Sequence, residues 1–335
     1  MAHDSQNFSR REVLKTTLLF SSGLLGSGFL SRLEAAQGPR TRFSGGIDLL
    51  AFGDFGSNNE KQMKVATAMN DFAGQLGQPL SAVLALGDNF YGKLTPETIS
   101  PRFDGYYSSE HLDCPFFALL GNHDYGPSYD SKQGPAKADM QLAYAAGHPK
   151  SRWKMPAKWY AYELGPKDNP LVKIIYLDGN FFEGALTPAE KIAQRRWLAA
   201  EMEKPLRAKW LWIVSHYPAF SDSKTNRSGE RERLLKEWGH LFNDKRVSLY
   251  ISGHDHNLQH LRVDGMNPDF IVSGGGGASR YEVKDSGRGF SMQTRGFNHI
   301  HVAADLLTVQ YINSDGKLVH AFERRQDGSM TVLPV

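Results

Sequence analysis

Five short polar motifs carry the residues able to do chemistry: Gly53-Asp54-Phe55-Gly56, Gly87-Asp88-Asn89-Phe90-Tyr91, Gly121-Asn122-His123-Asp124, Ser215-His216-Tyr217-Pro218 and Gly253-His254-Asp255-His256. Taken singly, each has a plain structural reading. An Asp after a strand is commonly a helix cap, and a lone His is commonly a hydrogen-bonded structural group. Together, Asp54, Asp88, Tyr91, Asn122, His216, His254 and His256 form a mixed oxygen and nitrogen donor set, of the kind that binds iron, zinc or manganese. The glycines beside them allow sharp turns and close backbone approach.

Donors so far apart in sequence need a frame that ends many elements at one place. Each motif follows a short apolar run, at 47–52, 82–86, 115–120, 210–215 and 247–252, with a further run at 172–177. Helical patterns at 59–75, 188–202 and near 229–242 alternate with these strands, which is α/β order. Ligands at the carboxyl ends of such strands collect along one sheet edge. Three runs near the C-terminus, 297–303, 308–313 and 318–324, read as antiparallel strands expected to finish a second sheet. Segment 125–150, rich in Gly, Pro, Tyr and Lys, reads as a mobile insertion beside the site. The Gly274–Gly277 run lacks the Lys and Ser or Thr of a phosphate-binding P-loop and reads as a tight turn near the site.

With these motifs in this order, the chain resembles the binuclear metallophosphoesterases and, through Tyr91, the purple acid phosphatases of the small single-domain, tartrate-resistant type. The run Gly253 to His260 is particularly close to that type. The resemblance implies a four-layer α/β sandwich of two mixed β-sheets flanked by helices. It implies a ferric ion on Asp54, Asp88, Tyr91 and His256, and a divalent ion (iron, zinc or manganese) on Asp88, Asn122, His216 and His254, with Asp88 bridging. The chemistry of the donors agrees: phenolate, carboxylates and imidazole favour trivalent iron, whereas an amide oxygen and two imidazoles suit a divalent ion. Packing is the alternative role for Tyr91, and Phe90 beside it is able to fill that role.

The implied reaction is acid phosphatase chemistry on phosphate monoesters, of small molecules or phosphoproteins. A metal-bound water, its pKa lowered to about 7 or below, attacks as hydroxide while both cations neutralise the phosphoryl oxygens. His123, adjacent to Asn122 and needed by neither metal, is the expected proton donor; its alternative role is to orient a ligand, as Asp124 and Asp255 also could. One departure stands out. Enzymes of the small animal type carry another active-site histidine beyond the Ser-His-Tyr-Pro type motif, but 220–230 contains none. Asp222, Lys224 and Asn226 lie in that loop and read as solvated rather than catalytic.

The 335 residues, 40% hydrophobic and 22% charged, suit one large catalytic domain at 41–335. Formal charge is +3, and residues 1–40 hold Arg10, Arg11, Lys15, Arg32 and Arg40 against only Asp4, Glu12 and Glu34, so the remainder is near neutral and no nucleic-acid partner is expected. The single cysteine, Cys114, sits in an apolar run and reads as a buried inert thiol. Ser9-Arg10-Arg11-Glu12-Val13-Leu14-Lys15, followed by a modestly apolar stretch at 16–30 too short for a membrane span, resembles a bacterial twin-arginine export signal. Residues 1–40 are thus expected to be signal and linker, with a periplasmic or secreted destination, no membrane contact beyond the signal, and a monomeric product. Two readings compete: a sister phosphoesterase acting on diesters or nucleotides with two divalent ions, opposed by Tyr91, and an inactive exported phosphate-binding module, opposed by the complete donor set.

Overall fold

Mainly apolar runs, rather than strictly alternating ones, form the central strands because each is covered on both faces. In β1 (Ile47–Phe52), Leu49 and Ala51 enter a core between two sheets, while Leu50 and Phe52 enter a core beneath helices. The computed structural model describes residues 45–125, 134–181, 184–225 and 227–335. The expected export signal lies outside them. No helix among the described residues is long and apolar enough to cross a membrane.

One sheet runs β15 (Met330–Leu333), β14 (Leu318–Arg325), β13 (Leu306–Asn313), β12 (Gly296–Val302), β1, β2 (Ala82–Ala85), β3 (Phe116–Ala118), β4 (Trp153–Lys154). The other runs β11 (Gly289–Met292), β9 (Leu258–Leu261), β10 (Asp269–Ser273), β8 (Val247–Ser252), β7 (Trp210–Ser215), β6 (Val172–Leu177), β5 (Tyr160–Leu164). Both are mixed: β1 to β4 are mutually parallel, as are β6, β7, β8 and β10, and antiparallel strands flank each set. Trp212, Val214, Leu249, Ile251, Ile300 and Val309 fill the space between the sheets. Helices α1 (Glu60–Leu76), α2 (Pro96–Asp104) and α3 (Gly134–Gly147) cover the first sheet, with Val65, Met69, Ile99 and Ala138 facing inward. Helices α4 (Pro188–Glu203) and α5 (Ser228–Trp238) cover the second with Leu198, Leu234 and Trp238. The result is the four-layer sandwich.

Helix limits follow local chemistry. Asn59 caps α1 by accepting from the amides of Lys61 and Gln62, and Gly77 ends it in the left-handed region at φ 72°. Thr187 and Glu190 form a reciprocal capping box on α4, with Pro188 opening the helix.

Two expectations need correction. The C-terminal strands extend the first sheet instead of completing the second: β12 lies antiparallel to β1, from Ile47 opposite Val302 to Ala51 opposite Asn298. That register drops Ile300 and Val302 into the core between the sheets, whereas the second sheet already continues past β8 with β10, β9 and β11. The segment expected to be a mobile insertion contains α3, whose Lys137 and Gln141 are buried against the site; residues 126–133 are outside the described set.

Candidate metal centre

The five motifs leave β1, β2, β3, β7 and β8 at their carboxyl ends, and backbone bonds tie the turns together across both sheets. Asp54 N–H donates to Gly87 O (2.9 Å), Gly56 N–H to Asp88 O (3.0 Å) and Gly253 N–H to His216 O (3.0 Å). Three candidate ligands have left-handed backbone: Asp54 at φ 60°, Asp88 at 53° and His254 at 66°. Such strain in non-glycine residues persists only where neighbours over-determine it, which is typical of functional sites. Here Asp54 Oδ2 accepts from the His254 amide at 2.7 Å, joining two strained residues 200 positions apart. At Gly121 a Cβ would collide with the Asp88 carboxylate and amide and come within 2.9 Å of His216 Cε1, so only glycine fits.

All seven candidate ligands converge, in two overlapping groups. Asp54, Asp88 and His256 place ligand atoms within 4.8 Å of one another, and the Tyr91 hydroxyl lies 3.5 Å from Asp54 Oδ1 and 3.4 Å from His256 Nε2. In the second group, His216 Nε2 lies 3.2 Å from Asn122 Oδ1, 3.5 Å from Asp88 Oδ1 and 3.1 Å from His254 Nδ1. Asp88 belongs to both. Two ring orientations are set from behind: His216 Nδ1–H donates to Leu86 O (2.8 Å) and His256 Nδ1–H to Ser279 O (2.6 Å), which leaves each Nε2 lone pair facing the centre. His216 Nε2, Asn122 Oδ1 and Asp88 Oδ1 thus bring an imidazole, an amide oxygen and a carboxylate to one buried point. That mixed oxygen and nitrogen donor set, converging in a buried place, fits resident cations.

The protein's own charges bear on each ligand differently. Burial pushes Asp88 upward, but the charges of His216 and His123 outweigh it and hold its carboxylate below the ordinary range. Burial pulls His216 down, and Asp88 and Asp54 more than reverse that. Desolvation, with Asp88 and Asp54 nearby, pushes the Tyr91 phenol well up, so its phenolate needs a cation. Burial, together with His216 and Arg227, drives His254 well down and keeps its imidazole neutral, as a ligand must be.

His123 stands beside the ligands. Its amide donates to Asp88 Oδ1 (2.8 Å), its ring packs 4.6 Å from that of Tyr91, and it is partly exposed, leaving the imidazole within reach of solvent. Asp124 is buried as a hub: its carboxylate accepts from Gly121 N–H (2.8 Å), Asn89 N–H (3.0 Å), Phe90 N–H (3.2 Å) and Gln141 Nε2 (3.1 Å), binding two ligand loops to α3. Lys137 adds bonds to the carbonyls of Phe90 and His123. The Gly274–Gly277 turn lies at the site, with Gly276 N–H donating to Gly53 O at 2.9 Å.

The loop without a histidine is not merely solvated. Asp222 is buried, accepting from Arg288 (2.6 Å), Ser286 (2.8 Å) and Ser291 (3.0 Å), and acts as a strut away from the ligands. Lys224 is exposed and pairs with Glu282 at 2.9 Å; Asn226 is outside the described residues. Arg227 and Glu230, which sequence reasoning passed over, reach the ligands instead. Glu230 Oε2 is 3.1 Å from His254 Nε2, Arg227 Nη1 touches the same nitrogen, and Arg227 Nε ion-pairs with Asp255 at 2.9 Å. The Tyr281 ring stacks on His256 at 4.1 Å with Arg227 over its face. A cavity of about 420 Å³ lined by Ser221, Thr225, Arg227, Glu230, Arg231 and Asp255 opens beside His254. Only the absent histidine marked this loop as unusual in the sequence.

Known proteins resemble this chain in sequence and in fold. Purple acid phosphatase 4 of Arabidopsis thaliana is 26% identical over 321 residues, covering 88% of this chain and 87% of the relative. Tartrate-resistant acid phosphatase type 5 of Sus scrofa is 26% identical over 323 residues, covering 87% and 88%. Among solved structures, GAP50, described as the anchor in the inner membrane complex of Plasmodium, superposes with a TM-score of 0.65 at 22% identity, covering 82% of this chain and 87% of that one, a likeness of fold. The profile of the calcineurin-like phosphoesterases matches residues 47–258, a span that begins at β1 and contains every one of the seven converging side chains, and the chain belongs to that family of phosphoesterases.

Proposed function

We propose that the protein is an acid phosphatase of the purple acid phosphatase type, cleaving phosphate monoesters at a pair made of a ferric ion and a divalent iron, zinc or manganese ion. The observation that carries this is the Tyr91 hydroxyl within 3.5 Å of both Asp54 and His256, since a phenolate among carboxylates and imidazole suits trivalent iron. In this reading Asp54, Asp88, Tyr91 and His256 hold the ferric ion, and Asp88, Asn122, His216 and His254 the divalent one. When bound, such a pair acidifies a water and neutralises phosphoryl charge. The chain's own part is orientation and proton supply. Leu86 O and Ser279 O fix the tautomers of His216 and His256, Asp124 holds the Asp88 and Asn122 turns together, and His123 delivers a proton to the departing ester oxygen.

The test is a visible absorption spectrum of the metal-loaded protein with metal analysis, before and after a mild reductant. A broad tyrosinate-to-iron band, missing in Tyr91→Phe, supports the reading. A colourless protein holding two divalent ions favours the sister enzymes acting on diesters or nucleotides, and initial rates on a monoester, a bis-ester and a nucleotide then decide. We further infer export through the Arg10-Arg11 signal with residues 41–335 as a monomeric catalytic domain; cell fractionation and light scattering of the mature protein test this.

A further inference from the structure

The His254 ring has one nitrogen toward the centre and one toward the loop. Its Nδ1 is 3.1 Å from His216 Nε2, whose own proton is committed to Leu86 through Nδ1. Its Nε2 meets two partners of opposite demand. Glu230 Oε2, at 3.1 Å, is an acceptor and requires a proton on Nε2. Arg227 Nη1 is a donor and requires a lone pair there. A neutral imidazole carries one proton, so the two cannot be satisfied together.

Each partner therefore selects one tautomer. With the proton on Nδ1, His254 donates to His216 Nε2 and accepts from Arg227, and Nδ1 has no lone pair for a metal. With the proton on Nε2, His254 donates to Glu230 and Nδ1 is free to ligate. Passing between them moves the proton from Nδ1 to Nε2 with no net gain or loss. Arg227 has other places to rest: it pairs with Asp255 at 2.9 Å and Glu230 at 3.3 Å, and lies 5.6 Å from the Tyr281 ring centre.

We propose that Glu230 is the positioning carboxylate that sets His254 in its ligating tautomer, and that Arg227 is its antagonist, stabilising the metal-free form. The inference rests on His254 being a ligand of the metal pair. It means that the segment lacking a histidine controls metal occupancy of the His216 and His254 site through Arg227 and Glu230.

Zn²⁺ affinity is the readout, measured on the full chain by competition with a chromophoric chelator, with metal stoichiometry by mass spectrometry and circular dichroism to verify folding. Glu230→Ala should weaken one of the two sites by about 10–100-fold, the range for lost outer partners of a metal-binding histidine, and leave the other unchanged. Glu230→Gln should recover part of the loss, because its amide oxygen still accepts from Nε2–H. Combining Glu230→Ala with Arg227→Gln should recover at least half of the loss on a logarithmic scale. Long-range ¹⁵N–¹H spectra should find His254 protonated on Nδ1 without metal and on Nε2 with it. Wild-type affinity in Glu230→Ala, no recovery in the double variant, or an unchanged tautomer overturns the proposal. Should Glu230→Ala fail to fold, Arg227→Gln alone decides, since it must bind Zn²⁺ at least as tightly as the wild type. A folded wild-type protein that takes up no Zn²⁺ refutes the metal-centre reading itself, and this pairing with it.

Discussion

Replacing Asp124 by Ala tests whether the ligand turns are held by one buried carboxylate. The side chain is fully buried and accepts from four donors: the amides of Gly121, Asn89 and Phe90, and the side chain of Gln141. Each donor left buried without a partner costs about 1–3 kcal/mol. Part is offset, because burial and the nearby Asp88 charge push Asp124 upward, so that removing a buried carboxylate brings some relief. The net loss should be about 3–5 kcal/mol, the range for deleting one partner of a buried charged network, against a total stability of about 5–15 kcal/mol. Urea unfolding monitored by circular dichroism measures it, through a lower midpoint at an unchanged slope. Asp124→Asn, retaining one acceptor oxygen but turning an amide N–H₂ toward donors, should fall between Ala and wild type. Because Asn89 and Gly121 adjoin Asp88 and Asn122, metal content should fall in both variants. A loss under about 1 kcal/mol with full metal content would refute the hub.

Three further outcomes follow from the same geometry. Gly121→Ala should reduce kcat/KM at least 100-fold in steady-state assays, since its Cβ must displace Asp88 or His216 and a shift of about 1 Å at a reacting centre costs that much. Burial and the neighbouring His260 depress His320 from 6.5 to about 3, and its ring is stacked on Phe290. A depressed group stays neutral in the fold while its unfolded counterpart takes up protons, so the stability it contributes is present above pH 6.5 and lost progressively as pH falls toward about 3. About 2 kcal/mol should disappear between pH 7 and pH 5, and His320→Gln should flatten that part of the urea-midpoint profile. Burial pushes the Cys114 thiol up to about 12, so thiol reagents at pH 8 should modify it only in the unfolded protein; rapid labelling of the native state would contradict the packing.

Much of the centre was legible because its chemistry is local. A strand end, a glycine and a donor residue suffice to announce a ligand turn, and β1, β6, β7 and β8 match the apolar runs residue for residue since strands buried on both faces are mainly apolar along their length. Local chemistry also placed Asn59 and Pro188 at helix starts. The sheet joined by the C-terminal strands was not legible, because β12 has the same alternating pattern whichever open edge it meets, and only the fit of Ile300 and Val302 between the sheets selects β1. Nor was α3 legible as a support, since nothing in a segment rich in Gly, Pro, Tyr and Lys announces that Gln141 will meet Asp124. Arg227 and Glu230 were invisible for the same reason: a charged residue at the start of a helix reads as solvated until folding places His254 against it. The sequence by itself therefore determined which atoms are available to bind and react. Tertiary structure alone decided which of them meet, and which proton each histidine keeps, because those depend on contacts between residues that share no neighbourhood along the chain.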